Sequence, residues 1–200
     1  KFFSSFLVRI THFVDCIKII PVATSFQKNC IIGEYFQIGK NAWCTASKSS
    51  NIVIGNNVIV RGVIRCEDYR HNKIIIGNHV YIGDDCLISC ADKIEIGDYT
   101  LIAHGVQIFD NDTHPIDVKD RRTDWLIIKG ESKDERKNIS VSSVKIGHNC
   151  WIGMNCIIKK GVTIGNNSII SPGCIVIKDI PENVIVSGNQ ARIIRNINNN

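Results

Sequence analysis

The sequence predicts an all-β fold, a coil of short stacked strands, and three observations lead there. From Ile146 every sixth residue is aliphatic: Ile146, Ile152, Ile158, Ile164, Ile170 and Val176. Four places after each comes a small or β-branched residue, at Cys150, Cys156, Val162, Ser168 and Cys174. The same phase runs upstream as the triplets Ile76, Ile82, Ile88 and Ile96, Ile102, Ile108. A helix needs apolar residues every three to four positions and a strand every two. A period of six fits neither alone. It fits a short strand, a turn and another short strand, wound so that the aliphatic residue always points inward. Three hexads close one triangular coil, and coils stack about 4.8 Å apart, like strands in a sheet. Each coil buries its apolar residues only because the next one covers them.

In chain order, residues 1–30 are a lead-in. Phe2, Phe3, Phe6, Leu7, Ile10, Phe13, Val14 and Ile17 recur at helical spacing, which predicts an amphipathic helix ending before Pro21. Such a helix either caps the open end of the prism, or a neighbouring subunit, or lies on a membrane through residues 2–17. The repeat domain covers 31–190 in about six coils. It starts at Ile32, Ile38 and Cys44 and continues less regularly through Ile54 and Val60. Gly, Asn and Asp at the Ile-Gly-Asn/Asp turns tolerate positive φ at sharp corners. The phase stops over 109–143, which reads as a long, highly charged loop, and a loop of that length in a compact domain is usually functional or disordered. Val184–Val186 closes the prism, and 191–200 reads as a short helix and frayed tail.

Composition narrows the function. A net charge of +5 over 200 residues is compatible with an anionic ligand and too weak to argue for nucleic acid. Nine cysteines with no Cys-x-x-Cys, three of them at inward repeat positions, read as small core residues in a reducing compartment. With no leader and no long apolar span legible, a cytoplasmic location is expected, peripheral at the inner membrane face if the first helix meets lipid. His71, His79, His104 and His148 form no three-His pattern, so no metal is expected.

The interruption opens with Phe109-Asp110-Asn111-Asp112-Thr113-His114-Pro115, followed by Arg121-Arg122. Imidazole titrates near neutral pH. A carboxylate on one ring nitrogen fixes the tautomer and leaves the other nitrogen free to take a proton. His114 is therefore the candidate general base, with Asp110 or Asp112 as its orienting group. Arg121 and Arg122 are candidates for a nucleotide-sugar or anionic saccharide.

Together with Lys-Ile-Gly-His-Asn-Cys-Trp-Ile-Gly, Gly-Val-Thr-Ile-Gly-Asn-Asn-Ser, Val-Ile-Lys-Asp-Ile-Pro-Glu-Asn and Gly-Asn-Gln-Ala-Arg, the repeat and the His-Pro loop resemble the hexapeptide-repeat acyltransferases. The likeness covers about 31–197 and is closest to the maltose/galactoside O-acetyltransferase-like branch, which includes polysaccharide O-acetyltransferases. It implies a left-handed parallel β-helix and a homotrimer with active sites between subunits. It also implies acetyl-coenzyme A as co-substrate, with His114 matching the catalytic His. Trp151 matches a Trp beside the coenzyme arm, with Gly153, Met154 and Pro172 along the groove. Lys178 and Arg192, assisted by Arg195, match basic positions near the coenzyme phosphates. Ser89 stands where sugar acetyltransferases have an Asn that meets the acceptor.

There are departures from the pattern. Gln190 replaces a Pro, Met154 replaces a smaller residue, and Pro172 has no amide to bond the pantetheine. The expected activity is O-acetylation of a sugar hydroxyl of a surface polysaccharide or its precursor. N-acetylation of a nucleotide-linked amino sugar and a catalytically silent structural prism are the alternatives.

Overall fold

Each inward aliphatic residue of the repeat has a partner one coil away. The structure, a computed structural model, describes residues 19–46, 51–66 and 72–196. Its strands form three sheets, the faces of a triangular prism. The first sheet stacks β1 (Cys30–Ile32), β4 (Ile52–Ile54), β7 (Lys73–Ile76), β10 (Lys93–Ile96), β13 (Val144–Ile146) and β16 (Thr163–Ile164). The second stacks β2 (Gln37–Ile38), β5 (Ile59–Val60), β8 (Tyr81–Ile82), β11 (Leu101–Ile102), β14 (Trp151–Ile152), β17 (Ile169–Ile170), β19 (Val184–Ser187) and β20 (Arg192–Asn196). The third stacks β3 (Trp43–Thr45), β6 (Val63–Cys66), β9 (Leu87–Cys90), β12 (Gln107–Phe109), β15 (Ile157–Ile158) and β18 (Ile175–Val176). Every pairing up to β19 is parallel, giving six coils.

The register places the repeat residues in columns. One runs Ile32, Ile54, Ile76, Ile96, Ile146, Ile164. Another runs Ile38, Val60, Ile82, Ile102, Ile152, Ile170, Val186. Nearly all of these side chains are buried. The small partners Cys150, Cys156, Val162, Ser168 and Cys174 are buried with them, because the corner of a triangle leaves little volume.

One corner repeats a left-handed backbone at Tyr35, Asn57, His79, Tyr99, Asn149, Asn167 and Asn183, with φ from 54° to 59°. The turns are tied from coil to coil by side chains. Asn56 Oδ1 accepts from Glu34 N at 2.7 Å, Asn78 Oδ1 from Asn56 N at 2.9 Å, and Asp98 Oδ1 from Asn78 N at 2.7 Å. His148 Nδ1 accepts from Asp98 N at 3.0 Å, and Asn166 Oδ1 from His148 N at 2.8 Å. The Asn/Asp of the repeat turn therefore serves the coil before it as well as its own corner. Tyr35, His79 and Tyr99 hold the same φ with bulky side chains, an unusual choice at αL. His79 and Tyr99 stack there with centroids 4.6 Å apart.

Three sequence expectations are corrected. The helix α1, described over 19–29, runs through Pro21 instead of ending before it. The spacing that retains it is Val22, Ser25, Phe26 and Asn29, whose side chains turn toward the first coil. Val22 and Phe26 are buried, and Phe26 packs on Phe36 at 5.4 Å. Ser25 Oγ accepts from Cys44 N at 3.2 Å and Asn29 Nδ2 donates to Cys44 O at 3.0 Å, so α1 satisfies backbone groups on the edge strand β3. Residues 2–17 lie outside the described residues.

The carboxy-terminal segment is a strand. β20 pairs antiparallel with β19, because β19 would otherwise leave an open edge and Arg192-Ile193-Ile194-Arg195 suits a half-exposed strand. The 109–143 segment is not all loop. It contains α2 (Val118–Lys129), capped by Asp117, whose side chain accepts from Lys119 N and Asp120 N, and ended by Gly130 at φ 79°. Its only buried residue is Asp124, so it has no apolar stripe facing the core to be read from sequence.

Ile102 lies fully buried in the middle of the stack. Ile102→Ala should cost about 2–5 kcal/mol of stability, measured by urea unfolding, because rigid coils above and below cannot close the cavity. A loss no larger than that of a surface substitution would contradict this account of the core.

Candidate functional site

The site grows from a detour between the third sheet and the first. β12 ends at Phe109, and the chain leaves the prism until β13. The root is pinned on both sides. Asp110, fully buried, accepts from Ala91 N at 2.7 Å, Asp92 N at 2.8 Å and Asn111 Nδ2 at 3.0 Å. Ser142 N donates to Asp110 O at 2.8 Å and Asp112 N to Ser140 O at 3.1 Å, closing the detour into a neck. Lys160, one coil further on, bonds both the Asp112 carboxylate and Ser140 Oγ.

These bonds correct the expectation that Asp110 or Asp112 orients His114. Both carboxylates are spent on the neck. The group on His114 is Asp124 of α2, whose Oδ2 lies 2.7 Å from His114 Nδ1. Asp124 is 2% exposed and His114 is 53% exposed. Arg136, on the irregular segment that returns from α2, grips the same carboxylate with two bonds, Nε to Oδ1 at 2.5 Å and Nη2 to Oδ2 at 3.0 Å. It also donates to Thr113 O at 2.6 Å, one residue before the His. Thr113 has φ 61°, and its N–H donates to Asn111 Oδ1 at 2.8 Å. A tight turn, a buried carboxylate and a two-pronged guanidinium thus hold one imidazole.

The electrostatics follow. The Arg136 guanidinium holds the Asp124 carboxyl below its ordinary value of 3.8, against the opposing effect of burial, with His114 adding to the lowering. An ionised Asp124 accepts from Nδ1, so the Nδ1 proton stays and Nε2 presents its lone pair. The structure thus supplies a base atom on an exposed imidazole edge. Sequence reading missed Asp124 and Arg136 because they lie 10 and 22 residues from the His. The one available signal was a helix start at Asp117 and a stop at Gly130, which would have put Asp124 on a helix.

The remaining candidates fall in different places. Ser89 is corrected as an acceptor ligand: it is fully buried, with Arg65 Nη2 3.4 Å from its hydroxyl and Asn111 Nδ2 3.4 Å from its carbonyl. Arg121 is exposed, and its guanidinium braces the loop by donating to Pro115 O at 3.2 Å and Ile116 O at 2.6 Å. Arg122 is exposed on the side of α2 away from Asp124.

Trp151, 52% exposed, shares an outward row of the second sheet with Ile169, Ile185 and Arg195. Three strand spacings put Trp151 and Arg195 about 14 Å apart. Arg192 pairs with Ser187 on the same sheet. Gly153 is buried against Pro172, where an added Cβ would lie 2.6 Å from Pro172 N. Met154 and Pro172 are exposed at the next corner, and Lys178 is exposed beyond β18 on the third sheet. The candidate coenzyme residues therefore lie along one end of the prism, on two faces and the corner between them. Among the described residues no group of three His, Cys, Asp or Glu is placed to hold a metal ion.

A carboxyl held low in the folded state stabilises the fold above its unfolded pKa, and loses that contribution as pH falls through the folded value. Asp124→Asn should therefore cost about 1–3 kcal/mol at neutral pH. The gap from the parent should close as pH drops below about 3.9. Urea unfolding of both proteins from pH 7 to pH 3 measures it, and a gap constant across that range would contradict the ionised assignment.

Comparison with known proteins places the arrangement. Residues 143–178 match the model of the bacterial transferase hexapeptide family (six repeats). The chain is 39% identical over 142 residues to the Saccharomyces cerevisiae protein YJL218W, which carries an acetyltransferase name, covering 71% of this chain and 64% of that one. It is 33% identical over 179 residues to the galactoside O-acetyltransferase of Escherichia coli K12, covering 86% of this chain and 70% of the relative. It is 25% identical to WbbJ of the same organism, named for lipopolysaccharide biosynthesis O-acetyl transfer, over 93% of this chain and 89% of that one. Among solved structures, the N-acyltransferase AntD of Bacillus cereus, in complex with dTDP and coenzyme A, shares the fold. Its TM-score is 0.67 at 19% identity, covering 84% of this chain and 83% of that one. With its six-coil prism and its similarity to galactoside O-acetyltransferase over most of both chains, this protein belongs to the hexapeptide-repeat acyltransferases, in the galactoside O-acetyltransferase-like branch.

Proposed function

We propose that the chain transfers the acetyl group of acetyl-coenzyme A to a sugar hydroxyl of a surface polysaccharide or its precursor, with His114 as general base. The observation that carries this is His114 Nδ1 held 2.7 Å from a buried, Arg136-bound carboxylate. A hydroxyl is a poor nucleophile near neutral pH. His114 Nε2 takes its proton as the oxygen attacks the thioester carbon. The tetrahedral intermediate then collapses, the C–S bond breaks, and the coenzyme thiolate recovers the proton from the imidazolium. General-base help of this kind is typically worth about 10²–10⁴-fold.

Direct transfer suits the cysteines. The eight described ones are free and buried. Burial pushes the Cys86 and Cys156 thiols up to about 11, where little thiolate exists to form an acyl-enzyme. Free thiols also suit work in the reducing cytoplasm.

Trp151, with Arg192 and Arg195 toward the end of the same sheet, would take the coenzyme arm and its phosphates, with Gly153, Met154, Pro172 and Lys178 along the adjoining corner. His114 lies on the detour beyond the third sheet, so a donor and a base are most simply joined between neighbouring copies. A homotrimer with shared sites is part of this reading, as is the prism over 31–190 as the acyltransferase unit. The acceptor class follows the similarity to proteins named for galactoside and lipopolysaccharide O-acetylation.

The test is coenzyme thiol release against a panel of sugars, oligosaccharides and nucleotide-linked amino sugars. Turnover is expected on a hydroxyl acceptor. His114→Ala should lower kcat by about 10²–10⁴-fold while calorimetry shows coenzyme binding retained. Asp124→Asn should lower kcat as well, by releasing the imidazole tautomer. A near-parental rate in His114→Ala would remove the base assignment, and turnover confined to amines would replace the O-acetyl reading with N-acetyl transfer.

A further inference from the structure

α2 sorts its side chains by charge. At 3.6 residues per turn, Val118, Arg121, Arg122, Trp125, Ile128 and Lys129 share one stripe, and all six are exposed. The stripe holds three cations, three apolar side chains and no acid. The acids of the helix, Asp120 and Asp124, lie on the other side, where Asp120 accepts from Asn138 Nδ2 at 2.6 Å and Asp124 holds His114 and Arg136.

Folding does not ask for this division. Only Asp124 is buried from α2, so the packing of this chain gives Trp125 and Ile128 no task, yet they are 57% and 59% exposed. Ile116, just before the cap, is 76% exposed on the same detour. A contiguous apolar patch interleaved with cations is the pattern of a helix that lies in a lipid interface.

We propose that this stripe docks on an anionic phospholipid surface. Trp125 and Ile128 enter the boundary between headgroups and acyl chains, and Arg122 and Lys129 meet lipid phosphates. Arg121 keeps its charge while bracing the Pro115 and Ile116 carbonyls. Lys129 stands over the Trp125 ring at 5.1 Å and is also bonded to Glu131, while the cap carboxylate Asp117 lies beside Arg121 at the other end of the stripe. The interleaving of cations with apolar side chains favours anionic lipid over a second copy of the chain, and the oligomeric state of the stripe variants distinguishes the two. The docking is separate from residues 2–17 and independent of which group is acetylated.

The test is co-sedimentation of the full chain with vesicles of phosphatidylcholine alone and of phosphatidylcholine mixed with phosphatidylglycerol, with light scattering on the free protein. Binding is expected only to the anionic vesicles, weakening with salt. Arg122→Gln with Lys129→Gln should weaken it by about tenfold or more. Trp125→Ser with Ile128→Ser should remove it without lowering the melting temperature. No binding by the parent chain would overturn the proposal, as would binding that all variants retain, which would put the contact elsewhere. A change of oligomeric state in Trp125→Ser with Ile128→Ser would also overturn it, because the stripe would then be a contact between copies. Lipid binding is the readout, so failure of the acetyl-transfer reading would not be mistaken for failure here.

Discussion

The structure depends on one constraint: no coil of the prism can bury its own interior. Each inward isoleucine lies in a column whose members sit one strand spacing apart, and the column is dry only while it continues. This explains the strict phase of six. A residue out of phase would cost its own burial and uncover its neighbours above and below. It also explains the attention given to the two ends. α1 supplies Phe26 to the first coil's interior and Ser25 and Asn29 to the backbone of β3. β20 reverses direction to pair with β19. Both devices answer the same problem, an open sheet edge over an apolar core.

Such a regular stack has few places for chemistry, because its inward residues are committed and its corners repeat. The proposed base, His114, stands on the large departure from the repeat between β12 and β13. The detour is attached with unusual care. Asp110 is sunk into the preceding coil, Asp112 is tied to Lys160 of the following one, and the two strands of the neck bond to each other. These bonds make a flexible excursion into a platform with a defined origin. On that platform α2 brings Asp124 beneath the imidazole, and Arg136 returns to hold Asp124. A general base of the kind proposed must keep one tautomer and one direction, and three segments distant in sequence meet at this imidazole.

The same helix has a second face, so α2 links the site to the surroundings of the molecule. Asp124 on its inner side bonds His114 and Arg136, and its outward stripe carries Trp125, Ile128 and their cations.

The sequence by itself determined the prism. Period six, the small corner residues and the Gly-Asn turns sufficed for the coil number, the inward set and the position of the interruption, because in a repeat each local residue faces the same environment. It also marked His114, since an imidazole among carboxylates at a break in the repeat is a local pattern. The partner of that imidazole was decided only in three dimensions. Asp110 and Asp112 are nearer along the chain, but the coils above and below claim them, and Asp124 arrives on a helix whose burial of a single polar residue leaves no apolar period. The end structures were hidden for a related reason. Whether Pro21 stops a helix, or Arg192–Asn196 coils or extends, depends on the edge each segment must cover, and an edge exists only once the coils have stacked.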